Sequence, residues 1–276
     1  MIGYGNSMFL ATHGILARSA SGAAVDPDAQ AFITAASITD PTQQSAINQL
    51  VVDLKGYSIW TKMKALYPFV GGTSTTHKWN LKDPRDLDAA FRLVFNGGVT
   101  HTSNGIQGNG TNGYAQTFLV PNTYLTLNNS HLSVYSRSNN QGDFMDIGVN
   151  DEPNVLSNAH RIQTRWSDGS CYYSINSNTG NGFSTANSLG FYIANRVNST
   201  NQKLYKNNSI NTGSSNANSL SSKVGGIFIC AWNHATPYYS PRQYAFASIG
   251  DGLTDAEAAN FYTAVQAFQT TLGRNV

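Results

Sequence analysis

The chain has 276 residues, 40% of them apolar, and its 17 basic and 15 acidic side chains give a formal net charge of +2. This near-neutral balance argues against nucleic-acid binding, which usually leaves a basic stripe in the sequence. Membrane insertion is not predicted either, because no apolar stretch approaches the roughly 20 residues that span a bilayer. The length allows one large all-β domain or two smaller domains. Since charge is sparse, Asn, Ser, Thr, Gln and Tyr must form the polar surface, a composition common in secreted β-sandwiches, adhesins and virion proteins.

Residues 1–25 have the pattern of an arm, because glycines interrupt every periodic run in them. The apolar side chains of this arm are Phe9, Leu10, Ile15 and Leu16. They suit either an extra strand on the chain's own sheet or an anchor that docks onto another subunit, and both hypotheses stay open. No Lys or Arg precedes the apolar patch, so the pattern does not favour a secretory signal peptide.

Residues 26–95 carry the signals of a helical segment. Asp26, Asp40 and Asp83 each precede a proline, which places an Asp at an N-cap and a Pro at the first helical position. Apolar spacing around Trp60 indicates a further helix between the second and the third of these starts. The four predicted helices cover 29–36, 41–55, 59–66 and 85–95. We expect this segment to pack on the domain that follows it.

The remaining chain alternates short apolar runs with Asn-Gly and Asp-Gly turn signals. Such spacing is typical of an antiparallel β-sandwich. The predicted strands cover 131–137, 144–149, 159–166, 170–175, 188–196, 203–205, 226–232 and 244–249. The predicted organisation is therefore an arm at 1–25, a helical segment at 26–95 and a β-sandwich at 96–276.

Two cysteines, Cys171 and Cys230, fall on separate predicted strands. They could pair across the sandwich, but two cysteines in a chain of this length do not form a disulfide framework. Free, buried thiols are therefore the favoured prediction.

A helix with clear start and stop signals closes the chain. Thr254 stands at the N-cap and Glu257 completes a capping box, while Gly273 with Arg274 marks the end. Its apolar positions recur at spacings of three and four: Ala258, Phe261, Tyr262, Val265, Phe268 and Leu272. One face of this amphipathic helix should therefore seal the sandwich.

The last strand, the Gly-Asp-Gly turn at 250–252 and the Leu-Thr-Asp-Ala-Glu helix start resemble the end of laminin G-like domains of the concanavalin A-like superfamily. The stretch 202–210 is similar to the Leu-Tyr-x-Asn-Gly hairpin of that superfamily, with Asn208 where Gly is usual. The resemblance implies a mainly β fold, a concanavalin A-like antiparallel β-sandwich of the jelly-roll type. It would carry an N-terminal helical segment and a C-terminal helix.

The whole chain, with its arm at 9–19 and the segment 57–63, also resembles virion structural proteins of tailed bacteriophages. That resemblance implies a non-enzymatic tail fibre, tip adhesin or capsid decoration protein, assembled in the host cytoplasm. Its partners would be other virion proteins, bound through the arm, and further copies of the chain in a homo-oligomer. A free carbohydrate-binding lectin and a glycan depolymerase are the alternatives.

No catalytic pattern stands out in the sequence. The acidic residues Asp143, Asp146, Asp151 and Glu152 surround one predicted strand but lack the alternating carboxylates that sandwich glycosidases use. A solvated strand end is the favoured interpretation. Calcium bound near Asp143 and Asp151 is the second, and hydrolysis the third. The histidines are too far apart for a zinc motif, so we expect neither an enzyme nor a resident cofactor.

Strand alternation suggests a glycan-binding face on the outside of the sandwich. With Leu132, Phe191 and Ile147 pointing inward, the outward side chains would be Tyr135, Arg137, Asp146, Tyr192 and Arg196. Aromatic, amide and charged groups of this kind suit a sugar. The alternative is that the helical segment covers this face and buries these residues. Tyr238 and Tyr239 lie on a loop between prolines and could be contact residues or a plug over the sandwich.

Overall fold

The computed structural model describes residues 24–150, 159–177, 181–211 and 223–276. The helices in these residues are α1 Pro27–Ala35, α2 Pro41–Gly56, α3 Ser74–His77, α4 Pro121–Tyr124 and α5 Asp255–Thr271. Asp26 and Asp40 cap α1 and α2 as the Asp-Pro pairs predict, because their carboxylates accept hydrogen bonds from the first turns. Within the described ranges, no helix is long and apolar enough to cross a membrane.

The strands form two sheets. In chain order they are β1 Met63–Tyr67, β2 Val94–Asn96, β3 Thr100–Thr102, β4 Gly105–Gln107, β5 Tyr114–Gln116, β6 Ser130–Ser136, β7 Ile147–Val149, β8 His160–Gln163, β9 Ser170–Ile175, β10 Asn181–Ser184, β11 Gly190–Arg196, β12 Gln202–Lys206, β13 Ser209–Asn211, β14 Phe228–Ile229, β15 Trp232–Asn233 and β16 Gln243–Gly250. The first sheet has the order β13-β12-β11-β6-β16-β4-β3, and β1 also pairs with β16. The second has the order β10-β9-β8-β7-β14-β5-β2, with β15 beside β7.

The predicted fold is confirmed: the protein is a mainly β, antiparallel sandwich with N-terminal helices and a C-terminal helix. Its inter-sheet core is apolar. Leu132 and Val134 of the first sheet face Ile147 and Ile162 of the second, all without solvent exposure. The one parallel pair recorded among the described strands joins β15 to β7.

Both cysteines lie inside the sandwich as free, buried thiols, as predicted. Burial raises the pKa of Cys171 and that of Cys230, because the apolar surroundings disfavour the thiolate. Neither thiol is therefore placed to act as a nucleophile.

The helix predicted over 59–66 is wrong. Trp60–Lys62 make a single 3-10 turn, and Met63–Tyr67 continue as β1, which pairs with β16. Leu66 packs towards the helices while Ala65 and Tyr67 face the inter-sheet core, so both faces of this strand are buried. A short apolar run buried on both faces has no period that separates strand from helix.

The helix predicted over 85–95 is also wrong. Asp83 pairs with Arg85 instead of capping a helix, with Arg85 Nε donating to its Oδ1 at 2.7 Å. A 3-10 turn at Asp88–Ala90 ends at Phe91, whose φ of 59° is left-handed, and β2 follows. Residues 26–95 therefore contribute β1 to the first sheet and β2 to the second, in addition to α1 and α2.

The closing helix α5 forms as predicted. Thr254 accepts a hydrogen bond from the Glu257 amide, and the Glu257 carboxylate accepts one from the Thr254 amide at 2.7 Å. Gly273, with φ 63°, ends the helix, and the Arg274 amide donates back to the Gln269 carbonyl at 2.8 Å. The apolar face of α5, with Phe261 at its centre, packs onto the first sheet.

The predicted hairpin at 202–210 is present as β12 and β13. The left-handed position is taken by Asn207, with φ 54°, one residue before the Asn208 that the sequence pattern suggested. The Asn207 side chain also accepts a hydrogen bond from the Phe191 amide at 2.9 Å, which ties the turn to β11.

The helices cover the outer face of the first sheet. Tyr135 of β6, Phe191 of β11 and Phe246 of β16 point away from the sandwich and pack in one apolar cluster with α1, α2 and α5. Phe261 of α5 lies 5.2 Å from the Phe191 ring and 6.0 Å from the Phe246 ring. This sheet therefore has two buried faces, one towards the second sheet and one towards the helices.

Candidate functional site

The residues predicted to form an outward glycan-binding face are not on an exposed face. Tyr135 is fully buried under the helical cover, where its hydroxyl donates to Gln266 Oε1 at 3.0 Å. Tyr192 is fully buried on the opposite face of the same sheet, inside the sandwich, and its hydroxyl donates to the Asn187 carbonyl. The prediction assigned Phe191 to the core, and the observed alternation of β11 is shifted by one residue.

The two predicted arginines bridge chain segments. Arg196 is fully buried, and its Nε donates to the Ile175 carbonyl at 2.7 Å. Arg137 is half-buried, and its Nε donates to the Arg274 carbonyl at 2.7 Å. Both guanidinium groups therefore hold the fold together. Tyr135 is buried under the helices, as the alternative interpretation predicts, whereas Tyr192 is buried between the two sheets.

Asp146 belongs to a closed ion-pair network between the two sheets. Its carboxylate accepts from Arg242 Nη1 at 2.9 Å, from the Thr164 amide at 2.6 Å and from the Tyr244 hydroxyl. Asp146, Arg242 and Tyr244 are all without solvent exposure. Burial opposes the charge of Arg242, but the Asp146 carboxylate outweighs it and raises the pKa of that guanidinium. No substrate reaches Asp146 without opening the core.

The other acidic residues divide between exposed and undescribed positions. Asp143 is exposed, while Asp151 and Glu152 lie outside the described residues, so the calcium hypothesis stays a prediction. Phe9, Leu10, Ile15 and Leu16 of the arm also lie outside them. Among the residues that the structure describes, no group of three or more His, Cys, Asp or Glu is placed to hold a metal ion.

A cavity of about 360 Å³ lies between α1 and α2. It is lined by Val25, Gln30, Ile33, Pro41, Gln44, Ser45 and Asn48. None of these side chains titrates near neutral pH, so the described lining offers no acid or base that could activate the Ser45 hydroxyl for catalysis.

The outer face of the second sheet remains, and the strand register defines a row of residues across it. The row, read from β2 to β9, is Val94, Gln116, Phe228, Gly148, Arg161 and Ser174. Ile147 and Ile162, the strand neighbours of Gly148 and Arg161, belong to the inter-sheet core. Successive side chains in a strand point to opposite faces, so the row points away from the core.

Three half-exposed aromatic rings lie at one end of this face, and we call them the aromatic platform: Tyr114, Phe228 and Tyr239. The Tyr114 and Phe228 rings are stacked, with centroids 4.4 Å apart and planes 24° apart. Tyr239 lies 6.2 Å from Tyr114. Gln116 lies beside Phe228 in the register, which places a side-chain amide next to the stacked rings.

A second aromatic group surrounds Trp232, which is fully buried outside the inter-sheet core. His234 lies 4.3 Å from the Trp232 ring, and Tyr238 lies 6.4 Å from it. Trp166 contacts Tyr238 edge to face at 5.4 Å. The left-handed φ of Tyr238, 48°, holds its ring in this group and continues the chain into Tyr239 of the aromatic platform.

Arg161 belongs to the row and also contacts this second aromatic group through Trp232. It is only 3% exposed, and its guanidinium carbon lies 5.5 Å from the centre of the Trp232 ring. Its Nε and Nη1 have no hydrogen-bond partner, and neither has the hydroxyl of Ser174, its cross-strand neighbour, among the residues that the structure describes. Burial lowers the pKa of Arg161 to about 10, and the side chain stays charged at neutral pH.

Sequence reasoning missed Tyr114, Phe228 and Arg161. Their alternation was readable: Tyr114 and Gln116 flank a small apolar residue, and Arg161 precedes the inward Ile162. The loop with Tyr238 and Tyr239, predicted to be either a contact surface or a plug, lies at this face, where Tyr238 packs against Trp166 and Trp232.

Comparison with known proteins shows the fold. No protein-family model matches the chain, and no curated protein matches it in sequence. The receptor-binding domain of a botulinum neurotoxin C/D mosaic serotype aligns with a TM-score of 0.51 and 10% identity over 74% of this chain and 52% of that one. A Trypanosoma rangeli sialidase mutant displaying trans-sialidase activity aligns with a TM-score of 0.51 and 10% identity over 82% of this chain and 39% of the sialidase.

A domain of an extracellular arabinanase from Geobacillus stearothermophilus, solved with arabinotriose, aligns with a TM-score of 0.49 and 13% identity, over 72% of this chain and 98% of that domain. The chain spans about half of the neurotoxin domain and a smaller share of the sialidase. At such identities the neurotoxin and sialidase alignments establish a shared β-sandwich and nothing further about activity.

Proposed function

We propose that the chain is a carbohydrate-binding β-sandwich and that the outer face of its second sheet is the binding face. The observation that carries the proposal is the aromatic platform, on a face that no helix of the described residues covers. Tyr114 and Phe228 stack there, half-exposed, whereas Phe191 and Phe246 on the outer face of the first sheet are fully buried.

The chemistry of the platform suits a sugar ring. A pyranose presents apolar C–H faces, which pack on flat aromatic surfaces, and hydroxyl groups, which need donors and acceptors at the rim. Gln116 in the row and Asn96, paired with Tyr114 in the register, supply amides on either side of the rings. Binding of this kind needs no catalytic group, and we propose a non-enzymatic role.

The fold supports the same class of function. Two of the structures that share the sandwich come from a toxin's receptor-binding domain and from a sialidase. Asp146, the acidic residue expected beside the binding face, is locked in its ion pair with Arg242, which favours recognition over hydrolysis.

A glycan array probed with the full chain, followed by calorimetric titration of the best glycan, tests the proposal. Replacing Tyr114 and Phe228 together with Ala should weaken binding by roughly tenfold or more, since each ring contributes on the order of 1 kcal/mol. Tyr262→Ala, a partly buried tyrosine on α5, is the matched control and should bind as the parent does. Equal affinity of all three proteins would contradict the proposal.

The narrower proposal is a place in a tailed-phage particle, as a tail fibre, tip adhesin or capsid decoration protein. It is supported by the sequence resemblance of 9–19 and 57–63 alone. Mass spectrometry of purified virions tests it, and absence of the chain from them would contradict it. Deleting residues 1–20 tests the anchor separately, because undiminished incorporation would remove the role of Phe9, Leu10, Ile15 and Leu16.

A further inference from the structure

We propose that Arg161, together with Ser174 and Trp232, binds the carboxylate of an acidic sugar, so that the glycan recognised by this sandwich is anionic. The inference rests on the proposed carbohydrate-binding function. It specifies the chemical class of the ligand and the group on the protein that selects it.

The guanidinium of Arg161 has hydrogen-bond donors without acceptors. A guanidinium has five N–H donors and needs acceptors when it is removed from water. Arg161 is 3% exposed, yet within the described part of the chain its Nε and Nη1 donate to no acceptor. The Ser174 hydroxyl, opposite it on β9, is likewise buried and unpartnered there.

The fold supplies partners to the other buried arginines. Arg242 has the Asp146 carboxylate. Arg274 donates to the carbonyls of Phe69, Pro68 and Ala245 at 2.7 to 3.1 Å. Arg165 also has a buried Nε without a partner, but its Nη1 donates to Asn139 Oδ1 at 3.0 Å. Among the described arginines, two unpaired buried donors on one guanidinium are found at Arg161, and an external acceptor explains them.

The shape and charge of the Arg161 guanidinium favour a carboxylate as that acceptor. A carboxylate accepts the parallel donors of a guanidinium better than a hydroxyl does, because its charge and planar shape both match. Trp232 lies under the guanidinium at 5.5 Å and fixes its plane. Tyr172 lies two residues before Ser174 on the neighbouring strand, so its side chain is on the same face, where its hydroxyl donates to Asp168 Oδ2 at 2.6 Å.

The site is continuous with the aromatic platform. Phe228 and Arg161 stand in one row with a single strand, β7, between them. At a strand spacing of about 4.8 Å, their backbones are about 10 Å apart. Gly148 occupies the intervening position on β7 and adds no side chain of its own, and Trp232 of β15 pairs with it there. An oligosaccharide can therefore rest one residue on Phe228 and present the carboxylate of another to Arg161.

A glycan array with neutral, sulfated and carboxylated members tests the inference, with the full chain as the probe protein. We expect carboxylated glycans to bind best and their methyl esters to bind roughly tenfold or more weakly, as expected for loss of a hydrogen bond to a charged group. Arg161→Met should reduce the affinity for the carboxylated glycan to that for its ester. Arg85→Met, which removes the same charge from an exposed ion pair, should leave both affinities unchanged.

The outcomes separate the two proposals. If no glycan of any class binds, the proposed function fails and this inference fails with it. If neutral or sulfated glycans bind as well as carboxylated ones, or if Arg161→Met discriminates acid from ester as the parent does, only the inference is overturned. Ser174→Ala, a smaller change, should lower the affinity for the carboxylated glycan and leave the affinities for the other glycans unchanged. Circular dichroism of each variant shows whether it is folded, so that a loss of binding can be distinguished from a loss of folding.

Discussion

The outer faces of the two sheets differ in what covers them. On the first sheet, Phe191 and Phe246 meet the helices and are fully buried. On the second sheet, Tyr114 and Phe228 stack on each other at the surface and stay half-exposed. Aromatic residues on an outer sheet face therefore stabilise the fold where helices cover them. Where no helix of the described residues covers them, they are available for a ligand.

The largest expected effect contrasts these two faces directly. Phe261→Ala should lower the free energy of unfolding by about 3–5 kcal/mol, because it leaves a cavity between α5 and the first sheet. Phe228→Ala should cost clearly less, since its ring is only partly buried. Urea unfolding of both variants measures the difference, and similar losses would show that the second face is as structural as the first.

A second contrast concerns the two buried arginine environments. Asp146→Ala leaves Arg242 buried without its carboxylate and should lower the free energy of unfolding by about 3–5 kcal/mol. Arg161→Met removes a buried charge that has no partner in the described residues, so stability should stay the same or rise. Thermal melting in the absence of glycan shows whether each substitution lowers or raises the stability. A large loss in Arg161→Met would indicate a structural role for that guanidinium.

The third prediction is a loss of stability in mild acid. Burial lowers the pKa of His131 in the first sheet and that of His160 in the second to about 4. Below pH 6.5 the unfolded chain therefore takes up protons that the folded chain does not, and stability falls as the pH falls towards 4. At pH 5 each histidine should remove about 2 kcal/mol relative to pH 7.

Urea unfolding at pH 7 and pH 5 measures this loss. His131→Gln should reduce it by about the share of one histidine, because the glutamine carries no titrating proton. A pH-independent stability between pH 7 and pH 5 would contradict the buried, neutral state of these histidines.

Local signals in the sequence were sufficient for the elements that depend on them. The capping box at Thr254 and Glu257 and the Asp-Pro starts at Asp26 and Asp40 appear as predicted, since caps are made by residues within one turn. The strand predicted over 170–175 has its exact bounds in β9. These residues determine their structure without distant partners.

Local signals did not suffice to predict which side chains of a strand point into the inter-sheet core. Every residue of β6 and of β11 is buried, because the first sheet packs on both of its faces. With no polar face to mark the outside, the alternation of β11 fits either orientation. The prediction that Phe191 points into the inter-sheet core is wrong, because Tyr192 occupies that face. The short strands β2 to β5 were missed because three-residue strands among Asn-Gly turns carry no measurable period.

Arg161 shows why the candidate site lies beyond sequence reasoning. Its significance comes from the absence of partners among the described residues, which depends on the packing of β7, β8 and β9 around it. In the sequence it is one of 17 basic residues and has no motif.

Hydrogen–deuterium exchange with and without the best-binding glycan tests the central claim most directly. The account predicts slower exchange in β5 and β14, beside Tyr114 and Phe228, with no change in α5. Protection of α5 or of the strands it covers, with β5 and β14 unaffected, would place the glycan on the helical side and contradict the account.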